Sequence, residues 1–271
     1  MKDMATILIN GVTAEYQQAG NGPDLLLLHS LLTEMSVFER VLSPLARTHR
    51  VTCLNLPGFG ASDPVALNSV GEHADHVARV MDALALSPTV DVFGNGFGAF
   101  VALELAIRHG GRIGRLMVAD TVPAFPEPAK APFRVMAEKV RATGISAILD
   151  TAIGRIFPPA FQVAHPELVA ARKAALAAVD APCFARACLA LAALDLRPRL
   201  AVIRNPTLVM CGVLDQTTPP ALAREVANAI PGAVYLDIEG SGHCPMLEQP
   251  ETLVSMIESF TTGSPSSPAG Y

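Results

Sequence analysis

A mostly parallel α/β sheet, covered by helices on both faces and interrupted by a helical insertion, is the fold class this sequence predicts. Three observations lead there. Runs such as Leu25, Leu26, Leu27 and Leu28 are apolar without alternation, as strands buried on both faces require. Those runs alternate with stretches of helical period, the pattern of parallel strands joined by crossover helices. From about residue 123 to 198 the alternation stops, and Ala-rich helical segments are broken at Pro158, Pro159, Pro166 and Pro182, each proline marking a helix boundary.

The elements follow in order. Residues 5–10 and 12–18 form a hairpin about Gly11, 24–29 a strand, and 36–47 a helix whose Val37, Val41 and Leu45 share a face. Residues 50–56 are a strand, and 69–86 a helix with Val77, Val80, Met81 and Leu84 on one side. The strand 89–93 feeds a glycine turn into the helix 97–109, and 113–119 returns as a strand. After the insertion come strand 207–213, helix 219–230, strand 234–238 and helix 250–260, the last opening with proline as helix starts favour. The core is therefore expected at 1–122 and 199–262, a helical cap at 123–198 and a disordered tail at 263–271, which is rich in Gly, Ser and Pro.

Composition narrows the partners. With 51% hydrophobic and 17% charged residues the chain reads as globular. Its mean hydropathy of +0.37 comes from short runs, none near the ~18 residues of a membrane-spanning helix. The net charge of −5 carries no long like-charge block, so neither nucleic acid nor a membrane surface is an expected partner. A small-molecule substrate is; the oligomeric state is left open. Five scattered cysteines suit reduced, buried thiols better than a disulfide framework, and the N-terminus shows no export signal. A cytoplasmic location is expected.

The chemistry lies in loops that follow strand ends, where open parallel sheets bind ligands. These are His29-Ser30-Leu31-Leu32, Gly94-Asn95-Gly96-Phe97-Gly98, Gly212-Val213-Leu214-Asp215 and Gly240-Ser241-Gly242-His243. Through LLLLHSLL, NLPGFGASD at 55–63, FGNGFGAFVAL, CGVLDQTTP and GSGHCPMLEQPE at 240–251, the chain resembles the α/β-hydrolase family. It stands near that family's cap-bearing esterases, lactonases and C–C-bond hydrolases. The resemblance implies that Asp215 orients the imidazole of His243, the general base, and that the backbone N–H groups of Leu31 and Phe97 form the oxyanion hole. It places Gly96 at the nucleophile position, where the family presents serine on a strained strand-to-helix turn. No metal or organic cofactor is implied. The glycines at 94, 96 and 98 match the elbow and not the dinucleotide spacing.

Other residues carry two readings. His29, Ser30 and Asn95 are candidates for the substrate pocket, with Ser30 a stand-in hydroxyl. Phe133, Met136, Ile153, Phe157 and Phe161 of the cap read as core first and pocket lining second. His73 and His76, beside Glu72 and Asp75, read as a solvated helix face and not as metal ligands. Cys244, adjacent to His243, is expected to point away from it. Gly96 leaves three functions open. It is a replacement, recent or engineered, in an ordinary serine hydrolase acting on a small apolar ester or lactone. Alternatively the enzyme is native and uses His243 on water or directly on substrate, for hydrolysis, lyase, decarboxylase or cofactor-free oxygenase chemistry. In the third reading the fold is a capped binding module without turnover.

Overall fold

The computed structural model of the protein describes residues 4–263, so the expected tail lies, from residue 264 on, outside the described residues. β1 (Ala5–Ile9) and β2 (Val12–Ala19) pair antiparallel across Asn10 and Gly11, with φ of 51° and 84°, the left-handed pair that matches strand twist in a two-residue hairpin. β3 (Asp24–Leu28) is buried along its whole length. The helix expected at 36–47 is split: a 3-10 turn, Met35–Phe38, is capped by the Glu34 side chain accepting from Ser36 N, and α1 (Glu39–Leu45) begins after it.

β4 (Arg50–Leu54), α2 (Val70–Ala83), β5 (Val90–Asn95), α3 (Phe97–His109) and β6 (Ile113–Ala119) continue the alternation. Between β6 and β7 the chain is helical: α4 (Glu127–Thr143), α5 (Leu149–Ile156), α6 (Pro159–Ala164), α7 (Pro166–Ala177) and α8 (Ala181–Ala193). The sheet resumes with β7 (Thr207–Gly212), α9 (Pro220–Ala229) and β8 (Val234–Ile238), followed by a short α10 (Pro245–Glu248) that periodicity did not reveal, and α11 (Pro250–Thr262).

The eight strands lie in the order β1-β2-β4-β3-β5-β6-β7-β8. Only β1–β2 and β2–β4 pair antiparallel. The chain lays β4 on one side of β3 and β5 on the other, and at such a reversal the crevice opens beyond the strands' carboxyl ends. The register sets Leu28 opposite Gly94, so the loops beginning at His29 and Gly96 emerge side by side. α3 is drawn onto the sheet at Gly98, where a Cβ would stand 2.2 Å from the Leu28 carbonyl oxygen. Instead the Gly98 N–H donates to His29 O at 3.0 Å, tying the two loops together.

One helix face differs from expectation. His73 and His76 are both buried, at 5% exposure. They stand four residues before Val77 and Val80 and so share the stripe that α2 turns inward. His73 Nδ1–H donates to Ser69 O at 2.9 Å, and its ring meets Phe97 edge-on at 5.0 Å. Burial pushes both imidazoles below the ordinary histidine range, His76 to about 4. The acidic neighbours Glu72 and Asp75 masked that placement; Asp75 turns outward to Arg108 and His109. All five cysteines are buried and unpaired.

Candidate active site

The loop after β3 is braced by His29. Its Nδ1–H donates to Ser30 O at 2.8 Å, which leaves Nε2 to accept from Leu56 N at 3.1 Å. The ring lies 4.7 Å from that of Phe59. Burial lowers its pKa to about 4, so it is a neutral strut. It does not reach the pocket, contrary to its placement among the pocket candidates. Ser30 O also accepts from Thr33 N and Thr33 Oγ1, both at 3.2 Å. This turn leaves the Leu31 N–H with no acceptor among the described residues.

The loop after β5 makes a sharp elbow. Gly96 has φ 54° and ψ −115°, a conformation that strains any residue bearing a Cβ. Its N–H donates to Ala119 O at 3.0 Å, and its carbonyl receives the Ala99 and Phe100 amides that open α3. The Phe97 N–H, first in the helix, therefore has no intrahelical acceptor and none elsewhere among the described residues. Two buried amide donors stand at the elbow, the helix dipole of α3 favouring negative charge beside one of them. Asn95 is fully buried beneath the site and not in the pocket. Its Nδ2 donates to Asp120 Oδ2 at 2.7 Å and to His243 O at 3.2 Å, while its Oδ1 has no partner.

The carboxylate and imidazole meet from the loops after β7 and β8. Asp215 Oδ1 accepts from Thr217 N at 2.7 Å and Thr218 N at 3.1 Å. Its Oδ2 accepts from Thr218 Oγ1 and from His243 Nδ1 at 2.8 Å. Burial opposes its charge, but His243 and Thr218 hold the Asp215 carboxyl below the usual carboxylate range. For His243 burial again opposes charge; Asp215 outweighs it, aided by Asp120 and Glu248, and the imidazole is pushed up to about 9. In the neutral imidazole, with Nδ1–H committed to Asp215, Nε2 carries the lone pair. A Cβ built on Gly96 would lie 2.9 Å from that Nε2 and 2.3 Å from Ser30 Oγ. Ser30 Oγ itself stands 3.4 Å from His243 Nε2.

Several contributors were not singled out in the sequence. Glu248 accepts from Gly242 N and Cys244 N, both at 2.9 Å, so it clamps the residues on either side of His243. Thr218 anchors Asp215. Asp120 accepts from Gly212 N at 2.9 Å; its complete burial and the nearby Asp215 raise its carboxyl well above the usual range. Asp120 follows a strand end just as Asp215 does, so the same positional rule could have found it. Glu248 gave no such signal, because only the fold brings it back over the loop. Cys244 points away from the site, its Sγ 3.2 Å from Met246 Sδ. Asp120, Cys211 and Asp215 place three potential ligand atoms within 4.8 Å of one another. Both carboxylates accept hydrogen bonds from protein donors.

Above Gly96 lies a cavity of about 30 Å³. Ser30, Leu31, Phe97 and His243 line its floor, and Phe133, Met136 and Arg155 its cap side. Phe157 and Phe161 do not reach it; they stack on each other at 4.9 Å, and Phe157 faces an outer cleft of about 480 Å³. Arg155 and His243 border both spaces. The cap is tied to the site through α5, where His243 N donates to Ile156 O at 3.2 Å and Thr217 Oγ1 to Arg155 O at 3.1 Å.

Residues 25–256 match the model of the alpha/beta hydrolase family. The chain is 30% identical to 3-oxoadipate enol-lactonase 2 of Acinetobacter baylyi over 93% of its own length and 94% of that protein's. It is 29% identical to polyketide synthase ThaQ of Burkholderia thailandensis over 93% of its own length, but spans only 12% of that much longer protein. The enol-lactonase from Burkholderia xenovorans LB400 superposes with a TM-score of 0.88 at 27% identity, over 95% of this chain and 100% of that one. With a family model matched along most of its length, and the sheet order and loop placement described above, the chain belongs to the alpha/beta hydrolase family.

Proposed function

We propose that the protein hydrolyses a small, largely apolar ester or lactone, with His243 as general base, Asp215 as its orienting carboxylate, and the Leu31 and Phe97 N–H groups as the oxyanion hole. The observation that carries this reading is the 2.8 Å hydrogen bond from His243 Nδ1 to Asp215, which aims Nε2 at the space over Gly96. A neutral imidazole there accepts a proton from the attacking hydroxyl as that hydroxyl adds to the carbonyl carbon. The two amides hold the charge that develops on the carbonyl oxygen, and His243 returns the proton to the departing oxygen. The enol-lactonases similar to this chain support the ester or lactone class, lactones being cyclic esters. The apolar side chains Phe133 and Met136 suit a hydrophobic acyl portion.

The cavity of about 30 Å³ is far below the ~300–1,000 Å³ that encloses a small ligand. A bound substrate would need more room than this, from movement of the side chains that line the cavity. Arg155 borders both the inner cavity and the outer cleft, which places it between the two. The test is turnover of a series of p-nitrophenyl esters and lactones. The rate is expected to rise with pH as His243 loses its proton, and His243→Ala to lower kcat/KM by about 10²- to 10⁴-fold. Saturable binding without product, or an undiminished His243→Ala variant, would refute it.

A further inference from the structure

Gly96 removes a hydroxyl from the elbow, yet a hydroxyl still stands there. We propose that Ser30, from the loop facing the elbow, is the nucleophile of this enzyme. The inference rests on the hydrolytic reading above and names the atom that attacks.

Three observations carry it. Ser30 Oγ and Cβ fill the volume that a side chain on residue 96 would need, at 2.3 Å and 2.9 Å from a Cβ built there. Glycine at one position and serine at the other are thus sterically matched: a side chain on residue 96 would force Ser30 to shift from its present place. Second, Ser30 Oγ is the hydroxyl within reach of His243 Nε2, at 3.4 Å, and it borders the cavity. That separation is longer than a formed nucleophile–base hydrogen bond, as is common before substrate is bound. Third, the residue is held for the task. Its carbonyl receives three hydrogen bonds, from His29 Nδ1, Thr33 N and Thr33 Oγ1. The amide that follows it, Leu31 N–H, is one of the two uncommitted donors. A serine elbow likewise pairs its nucleophile with the N–H of the next residue; here that pairing is transferred from residues 96 and 97 to residues 30 and 31.

The step balances without a co-reactant other than water. Ser30 Oγ forms a bond to the carbonyl carbon as His243 Nε2 takes the hydroxyl proton, and the carbonyl electron pair moves onto its oxygen between Leu31 N–H and Phe97 N–H. Collapse breaks the bond to the alcohol oxygen, which leaves with the proton from His243. His243 then takes a proton from a water whose oxygen bonds to the acyl carbon; the acyl carbon–Ser30 Oγ bond breaks, the proton passes from His243 Nε2 to Oγ, and the acid leaves.

The experiment treats the full chain with a fluorophosphonate and with p-nitrophenyl acetate, maps the modified peptide by mass spectrometry, and compares Ser30→Ala and His243→Ala. Expected are an adduct on Ser30, no adduct in Ser30→Ala, and a kcat at least ~10²-fold lower in that variant, a modest loss beside that of nucleophile removal in a triad hydrolase. Should Ser30→Ala fail to fold, as judged by its melting transition, Ser30→Cys keeps a nucleophile in place and is expected to give a mapped acetyl thioester. An unmodified Ser30 in the reacted protein, or a Ser30→Ala variant that hydrolyses at the parental rate, would overturn the assignment. If in that case His243→Ala is inactive, general-base hydrolysis by water stands and only the nucleophile is wrong. If His243→Ala also retains activity, the hydrolytic reading falls with it.

Discussion

Adding a single methyl group at Gly96 measures how tightly the elbow and the facing loop share their space. Gly96→Ala must keep φ near 54°, a left-handed conformation that costs a residue with a Cβ about 1–2 kcal/mol. The new Cβ would stand 2.3 Å from Ser30 Oγ and 2.9 Å from both Ser30 Cβ and His243 Nε2. Ser30 must then leave its well, about 0.5–1.5 kcal/mol for a displaced rotamer. The sum, about 1.5–3.5 kcal/mol, lowers Tm by roughly 3–14 °C in a chain of this size. The assay is a double-mutant cycle in urea with Ser30→Gly as the second change. Ser30→Gly removes the overlap but not the backbone strain, so the pair should show a favourable coupling of about 1 kcal/mol. A Gly96→Ala variant as stable as the parent, or a cycle that closes additively within ~0.5 kcal/mol, would refute the claim that these two positions compete for one site.

Two further outcomes follow from the charges. Asp215→Asn removes the main partner that raises the His243 pKa to about 9; the acid limb of the kcat/KM–pH profile should move toward the ordinary histidine value while the rate falls by about 10²- to 10⁴-fold. An unmoved limb in that variant would mean that some other group titrates. The protein should also be acid-labile. His29 and His76, each held near 4 by burial, contribute stability that is complete above the unfolded value near 6.5 and lost as pH falls toward 4, up to about 3 kcal/mol each. His243 has the opposite sign, with a contribution present below 6.5 and lost as pH rises through 9. Urea midpoints measured from pH 8 to pH 4 should fall on the acid side, less steeply in His76→Leu; a level profile would contradict the burial of these rings.

The order of strands and helices, with a run of helices between β6 and β7, was legible in the chain itself, as were the loops that follow the strand ends. They depend on local patterns: apolar runs too short for helices, i to i+4 spacing, and glycines where a turn or a close approach leaves no room for a side chain. What local pattern does not encode is which loops face one another. His29 and Asn95 sit next to candidate site positions in sequence, yet the first braces its own turn and the second, at the end of the central strand β5, bonds Asp120 and the His243 carbonyl beneath the site. His73 and His76 look solvated beside Glu72 and Asp75, but the helix turns them inward. Asp120, Thr218 and Glu248 gain their contacts around the candidate site only when distant strand ends are brought into register. The same holds for Ser30 and Gly96. Sixty-six residues apart in the chain, they become neighbours because β3 and β5 pair in parallel with Leu28 opposite Gly94, so that a side chain on residue 96 would have to displace that of Ser30.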